Sequence, residues 1–396
     1  MKLFHLHIKC VLFLGLMCGY VASTFAQINN TALSDEIYIN PNDSGKFGIT
    51  VSSFNYLRNT EYFNNIELGR TLFGTQLHPR LSYQPNAQTT LQAGVFLQQD
   101  FGAVPSLTHV LPTFSVKLKS RNNQRSFIFG TLEGALAHQL IEPLFDINSA
   151  ILRRIENGAQ FKLNTKNVWL DTWINWERFI DRGSPHKERF TAGINAHLVL
   201  YQTKTNESKV LNPNGMDVAV TKTHHLLKPI FQFTAHHRGG QIDNDTSNMV
   251  MQFNGAAGLS YQLITLNNYS FKTEVYGVFY RENTNSGFYP YRIGNGFLAH
   301  VLVAKNGFSI NPTYWLGNGF IADRGTTLYQ SVSLDKAGYT EKMRELLLVR
   351  FIYGKKVAPD LSLDVRFEPY YDLRNSLMEF SYSVYLSYRL NKTLQW

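Results

Sequence analysis

From Phe380 to Leu390 the chain alternates almost without error: Phe380, Tyr382, Val384, Leu386, Tyr388 and Leu390 are apolar, and Ser381, Ser383, Ser387 and Arg389 between them are polar. A period of two is a strand with one face in an apolar medium and one in water. The same alternation recurs along Phe190 to Leu200 and Met251 to Leu263, each long enough for a tilted strand to cross the hydrocarbon core. Shorter versions lie at 91–97, 168–176, 227–235, 271–279, 297–303, 347–353 and 361–369. Weaker ones lie at 47–51, 77–83, 112–118 and 310–316. Residues 127–136 and 159–163 are also predicted strands, without an assigned outer face.

The connections alternate as well. Short Asn-rich turns are predicted at 85–88, 120–125, 164–167, 265–268, 305–307 and 354–360; long loops at 100–109, 137–156, 179–187, 238–249, 282–292 and 318–343. Short turns on one side and long loops on the other are the arrangement of a transmembrane barrel, with the short side periplasmic. Segment 202–222 is the exception, a long excursion on the short side. The fold class that follows is all-β, a transmembrane antiparallel up-and-down β-barrel of about sixteen strands, with fourteen or eighteen as alternatives. Even parity requires 56–68 to be a loop. Pro79, Pro112, Pro229, Pro312 and Pro369 fall on apolar positions and remove ladder donors, marking strand ends or bulges. Leu-Ser-Tyr recurs at 81–83, 259–261 and 386–388 with the same parity. Tyr83, Tyr261 and Tyr388, with Tyr201 and Tyr353, are therefore the expected periplasmic aromatic girdle.

Composition adds a location. Residues 1–26 carry a basic start, an apolar run from Val11 to Met17 and a small-residue cut site, the form of an export signal. The expected organisation is signal peptide 1–26, a short periplasmic segment 27–45 and a barrel over 46–396, placed in a bacterial outer membrane. Both cysteines, Cys10 and Cys18, lie inside the signal, so no disulfide or thiolate chemistry is expected in the barrel. The formal net charge of +9 is spread along the chain without a Lys/Arg run, which argues against nucleic-acid binding.

In a barrel, polar-parity side chains line the lumen. The candidates are Arg80, Lys117, Asp171, Asn175, Glu177, Gln232, His236, Lys272, Glu274, Asp364, Arg366 and Glu368, a mixed-sign set suited to a weakly selective channel or to cross-lumen bracing. The loop 137–156 is the candidate constriction. After Pro143, Ile147, Ile151 and Ile155 recur at four-residue spacing, which predicts a short amphipathic helix, with Glu142, Asp146, Arg153, Arg154 and Glu156 as its charges.

By these features the chain resembles outer-membrane porins of Gram-negative bacteria, in architecture and without a specific motif. The resemblance implies passive diffusion of small hydrophilic solutes with a weak anion preference. A non-conducting barrel acting as adhesin, scaffold or partner-binding protein is the rival, and a barrel-borne hydrolase the second. The expected partners are membrane lipid, the barrel-assembly machinery through the last strand, the diffusing solutes and, as in many porins, further copies of the chain. Enzymatic function is not expected. The Tyr-Thr-His-x-Ser-Asn-Gly signature of outer-membrane phospholipases is absent, as is Gly-x-Ser-x-Gly. Of the pairs His224-His225 and His236-His237 only one member each can face inward, so neither pair makes a metal site. No catalytic residue, metal or cofactor is therefore assigned.

Overall fold

A computed structural model describes residues 33–203, 210–211, 217–218, 224–265, 269–284 and 287–394. The export signal expected over 1–26 falls outside the described residues. Sixteen wall strands follow one another around the barrel: β1 Phe47–Glu61, β2 Thr71–Asn86, β3 Thr89–Asp100, β4 His109–Lys119, β5 Arg125–Thr131, β6 Asn157–Asn164, β7 Val168–Arg178 and β8 Glu188–Leu198, then β9 His224–Gly239, β10 Val250–Ile264, β11 Ser270–Glu282, β12 Ile293–Lys305, β13 Phe308–Asn318, β14 Met343–Ala358, β15 Leu361–Asp372 and β16 Leu377–Thr393. Each pairs antiparallel with its neighbours, and β16 closes on β1 from Gly48↔Thr393 to Glu61↔Phe380. Closure leaves no strand at the end of the sheet, the condition for a β-structure to stand in lipid. The long excursion carries Tyr201–Gln202, which prolongs β8, and a two-residue hairpin Val210–Leu211 with Asp217–Val218.

The period of two survives as burial. Along β11 buried and exposed residues alternate without a break, and in β16 Phe380, Tyr382, Val384 and Tyr388 face out while Glu379, Ser381, Ser383 and Tyr385 face in. The girdle tyrosines stand on the outer face near the short-turn end. Tyr83 stacks on Phe47 at 4.7 Å between ring centres, and Tyr353 packs on Phe308 at 4.4 Å. The five prolines sit inside strands, not at their ends. At Pro79, Pro312 and Pro369 the ladder on one side skips two rows. Beside Pro312 the Val301 carbonyl finds a substitute donor in the Asn311 side chain, whose Nδ2 lies 2.9 Å away. Asn311→Ala should leave that carbonyl unpaired and cost about 1–3 kcal/mol, read as an earlier heat-modification midpoint on gels.

The lumen is packed. Three segments enter it: 33–39 from the short-turn end, 132–156 between β5 and β6, and 319–333 between β13 and β14. Leu144, Phe320, Ile321, Leu328 and Tyr329 meet inward Tyr276, Leu298, Trp315, Leu346 and Leu348 in one apolar cluster. Leu33, Leu136, Phe145 and Ile151 meet Phe54, Tyr56 and Tyr385 in another. Ionic ties fix the segments to the wall. Asp35 binds Arg80 at 2.6 Å and His78 at 3.1 Å, Glu133 binds Lys117 at 2.6 Å and also Lys162, and Arg350 joins Glu142 to the Tyr329 hydroxyl.

Several expectations are corrected here. Residues 33–39 are lumenal, not a free periplasmic segment, because Leu33 and Ile37 bury against the apolar clusters. β1 continues to Glu61, so the loop is 62–70; inward Phe54 and Tyr56 are as apolar as outward Leu57, which erases the alternation that marks a strand. The strand read over 127–136 stops at Thr131. The four-residue apolar spacing yields one helical turn, Ser149–Leu152, since Arg153 leaves helical geometry at φ −147°, ψ 49°. The turn before β15 is two residues, not seven.

Candidate functional site

The extracellular half of the lumen holds a cavity of about 450 Å³. Its lining combines apolar Leu111, Leu140, Leu144, Phe145, Ile155 and Trp173 with charged Arg153, Glu156, Glu177, Arg178, Arg189 and Arg324.

Its chemical centre is built by three neighbouring strands and one loop. His236 on β9 and Thr191 on β8 are direct cross-strand partners facing inward. On β7 the register against β8 shifts between Trp176 and Arg178, a bulge that leaves Glu177 unpaired and turns it toward Thr191; re-aiming a side chain is what a bulge does. The Thr191 hydroxyl donates to Glu177 Oε1 at 2.6 Å and lies 3.1 Å from His236 Nδ1. His236 Nε2 in turn lies 3.4 Å from Asp323 Oδ2, brought in by the loop before β14. Arg324 binds Glu177, while Arg189 stands 3.8 Å from Glu177 and 3.7 Å from Asp323. Hydroxyl, imidazole and carboxylate in this order are the parts of an activated nucleophile, with Glu177 a second acceptor for the hydroxyl proton. His237 points the other way and stacks on Phe190 outside, at 4.7 Å.

A second cluster lies deeper. His138 places Nδ1 2.8 Å from Asp171 and Nε2 3.0 Å from Glu156 and lies flat on Trp173, 3.5 Å between ring centres. Both ring nitrogens can donate only in the imidazolium, so this histidine is a cationic tie and not a free base. Among the described residues no group of three or more His, Cys, Asp or Glu could hold a metal ion.

The predicted lumen residues all face in, and the structure divides them. Glu177 and Asn175 line the cavity, joined by Arg153 and Glu156 of the constriction set, while His236 is buried behind Thr191, which does line it. The Arg153 guanidinium has no hydrogen-bond or ionic partner among the described residues, and it borders a second cavity of about 270 Å³ with Glu67, Asp146 and Asp323. The others brace. Gln232 accepts from the Ile141 amide at 2.9 Å, Glu274 binds His300 at 2.9 Å and also Lys272, Asp364 binds Arg366 at 2.6 Å, and Glu368 binds Arg58 at 2.7 Å. Asp171 serves His138, Asp146 accepts the Asn148 amide, and Arg154 reaches the Leu33 carbonyl at 2.6 Å. Thr191, Arg189, Asp323, Arg324 and His138 were not singled out from the sequence. Thr191 had a usable signal in its polar parity on a strand adjoining that of His236; the two loop residues had none.

Glu67, in the outer loop 62–70, is buried, and burial, with Asp146 adding to it, pushes its carboxyl up to about 8 from an ordinary 4.5. The folded loop therefore holds a proton that the open loop releases, and its stability falls as pH rises from about 4.5 through about 8. Amide-exchange protection of 62–70, corrected for intrinsic rates, should fall across that window. It should become flat in Glu67→Gln; an unchanged slope there would assign the effect elsewhere.

Residues 39–395 match the sequence profile of a family described as lipid A 3'-O-deacylase-type. No curated protein matches the chain in sequence. Among solved structures, the OmpT outer-membrane protein of Vibrio cholerae lacking loop L8 is similar at TM-score 0.50 and 10% identity, over 88% of this chain and 100% of that one. OprD of Pseudomonas aeruginosa gives 0.48 and 11%, over 90% and 98%. An anion-selective porin from Comamonas acidovorans gives 0.49 and 6%, over 87% and 100%. At these identities the likeness concerns the fold, that of an outer-membrane barrel of porin size.

Proposed function

Because the chain belongs to the lipid A 3'-O-deacylase-type family, we propose that it hydrolyses an acyl ester of a phosphorylated glycolipid in the outer leaflet, with the extracellular cavity as its site. The family is an enzyme family by its description, and membership corrects the expectation of a barrel without enzymatic function. The missing hydrolase signatures were contiguous motifs, whereas the groups gathered here come from separate strands and a loop. The observation that carries the reading is the Thr191 hydroxyl held between Glu177 and His236 on the wall of a cavity lined by apolar side chains and four arginines.

In the proposed reaction Thr191 Oγ attacks the ester carbonyl as its proton passes to His236 Nδ1, with Asp323 facing Nε2. The acyl C–O bond breaks, and the proton returns to the departing sugar oxygen. Water activated by His236 then cleaves the acyl-threonine and releases a fatty acid. Arg153, Arg178 and Arg189 meet the phosphorylated headgroup, and the apolar lining residues take the chain. Refolded protein incubated with a phosphorylated glycolipid in H₂¹⁸O should yield glycolipid lighter by one acyl chain and labelled fatty acid. Unchanged lipid masses across a panel of such glycolipids would refute the reading.

A second reading, passage of small hydrophilic solutes with an anion preference, draws on the porin-sized wall and the surplus of arginines at the cavity. Single-channel recording in planar bilayers tests it, with the reversal potential under a salt gradient reporting the sign of the preferred ion.

A further inference from the structure

The barrel wall is not of even height. β5 and β6, at seven and eight residues, are the shortest wall strands, and their upper ends lie at Thr131 and Asn157. β4 runs on above them. Its pairing with β5 stops at Ser115↔Gly130, while on the other edge it stays paired to β3 as far as His109. The edge from His109 to Thr113 is thus without a ladder partner over about 17 Å, at about 3.4 Å per residue, and the Phe114 amide below it donates to the Thr131 hydroxyl. On the far side β7 rises past β6, whose last pair is Gly158↔Asn175, to Arg178. Between these edges lies a notch three strand spacings across, about 14 Å.

Three observations connect the notch to the cavity and to the bilayer. His109, Leu111, Asn157, Trp176 and Arg178, which frame the notch, also line the 450 Å³ cavity. Leu111 has inward parity yet is 38% exposed, because no wall stands beside it. Val110, Pro112 and Phe114 on the outer face of β4 continue the apolar belt beside the opening, and Phe129 and Trp176 are exposed on its other margins. Unpaired strand edge is not tolerated in hydrocarbon, so the notch stands at the level of the ester linkages and headgroups, where water and polar lipid groups serve it. Register places Thr191 opposite Asn175, which pairs with Gly158 at the sill. The hydroxyl is in register with the sill.

We infer that an acyl chain of a phosphorylated outer-leaflet lipid passes sideways through the notch over β5 and β6, between Leu111 and Trp176, while its headgroup stays at the arginines above. The lipid need not leave the bilayer to reach the cavity. The inference rests on the hydrolytic reading for what happens next, not for the passage itself.

Photo-cross-linking in native outer membranes separates the two. A benzophenone side chain in place of Leu111 or His109, both inward above the sill, is compared with one in place of Val110, which faces lipid. A third replaces Ser52, which faces inward at a separate cavity near the short-turn end. The probes are placed in the full chain carrying His236→Ala, with the heat-modifiable gel shift confirming that each variant folds. Acyl-lipid adducts at Leu111 and His109 comparable with those at Val110, and none at Ser52, are expected. Adducts at Val110 alone, or equal labelling at Ser52 and Leu111, would overturn lateral passage. Adducts at Leu111, together with unchanged glycolipid masses when the chain with His236 intact is assayed, would sink the hydrolytic reading and leave the passage standing.

Discussion

His236→Ala should lower kcat for acyl release by about 10² to 10⁴-fold, the contribution of a positioned acid–base group, with KM little changed. His236 touches no part of the cavity wall that the headgroup or chain requires; it acts on Thr191 across 3.1 Å. Its loss therefore removes an interaction made as the bond breaks and spares ground-state binding. Thr191→Ala should do the same, and the double variant should be no worse than either alone, because the two act as one unit. Glu177→Gln discriminates further. Should Glu177 take the hydroxyl proton in place of His236, that variant would lose the activity and His236→Ala would keep most of it. Fatty-acid release at saturating and limiting glycolipid reads both parameters.

Replacing residues 137–154 by a short Gly-Ser linker should turn the barrel into a wide pore, with single-channel current far above that of the intact chain. The segment fills the lumen with Leu144, Phe145, Ala150 and Ile151 and ties itself to Arg350 through Glu142. Each large side chain withdrawn from the core forfeits about 1.5–3 kcal/mol of burial, so the heat-modification midpoint should fall in the same variant. Current equal to that of the intact chain would mean that the segments 33–39 and 319–333 close the lumen by themselves.

The wall was legible because lipid on one side and a polar lumen on the other write a period of two into β11, β13 and β16. It was hardest to read where both faces are apolar, as at Phe54 and Tyr56 on β1. The interior was legible only by face. Parity sends His236 inward and His237 outward, and picks Glu177 on β7. It cannot say that a bulge turns Glu177 onto Thr191, since bulges are set by pairing and not by the strand's own residues. The loop before β14 gave no warning of its role. Phe320, Ile321, Leu328 and Tyr329 follow no helical or strand period, because each meets a different part of the wall, and Asp323 and Arg324 are placed by that anchoring.

The low stretch of wall and the long plug are made from the same piece of chain. At Gly130, with φ 96°, and Gly134, with φ 81°, the backbone turns in a sense that only glycine adopts freely, and it carries Leu132 and Glu133 inward instead of upward. A residue spent raising the hairpin is a residue withdrawn from the interior. Rim height and plug depth therefore behave as two ends of one rope, and changes at those glycines would be felt at both.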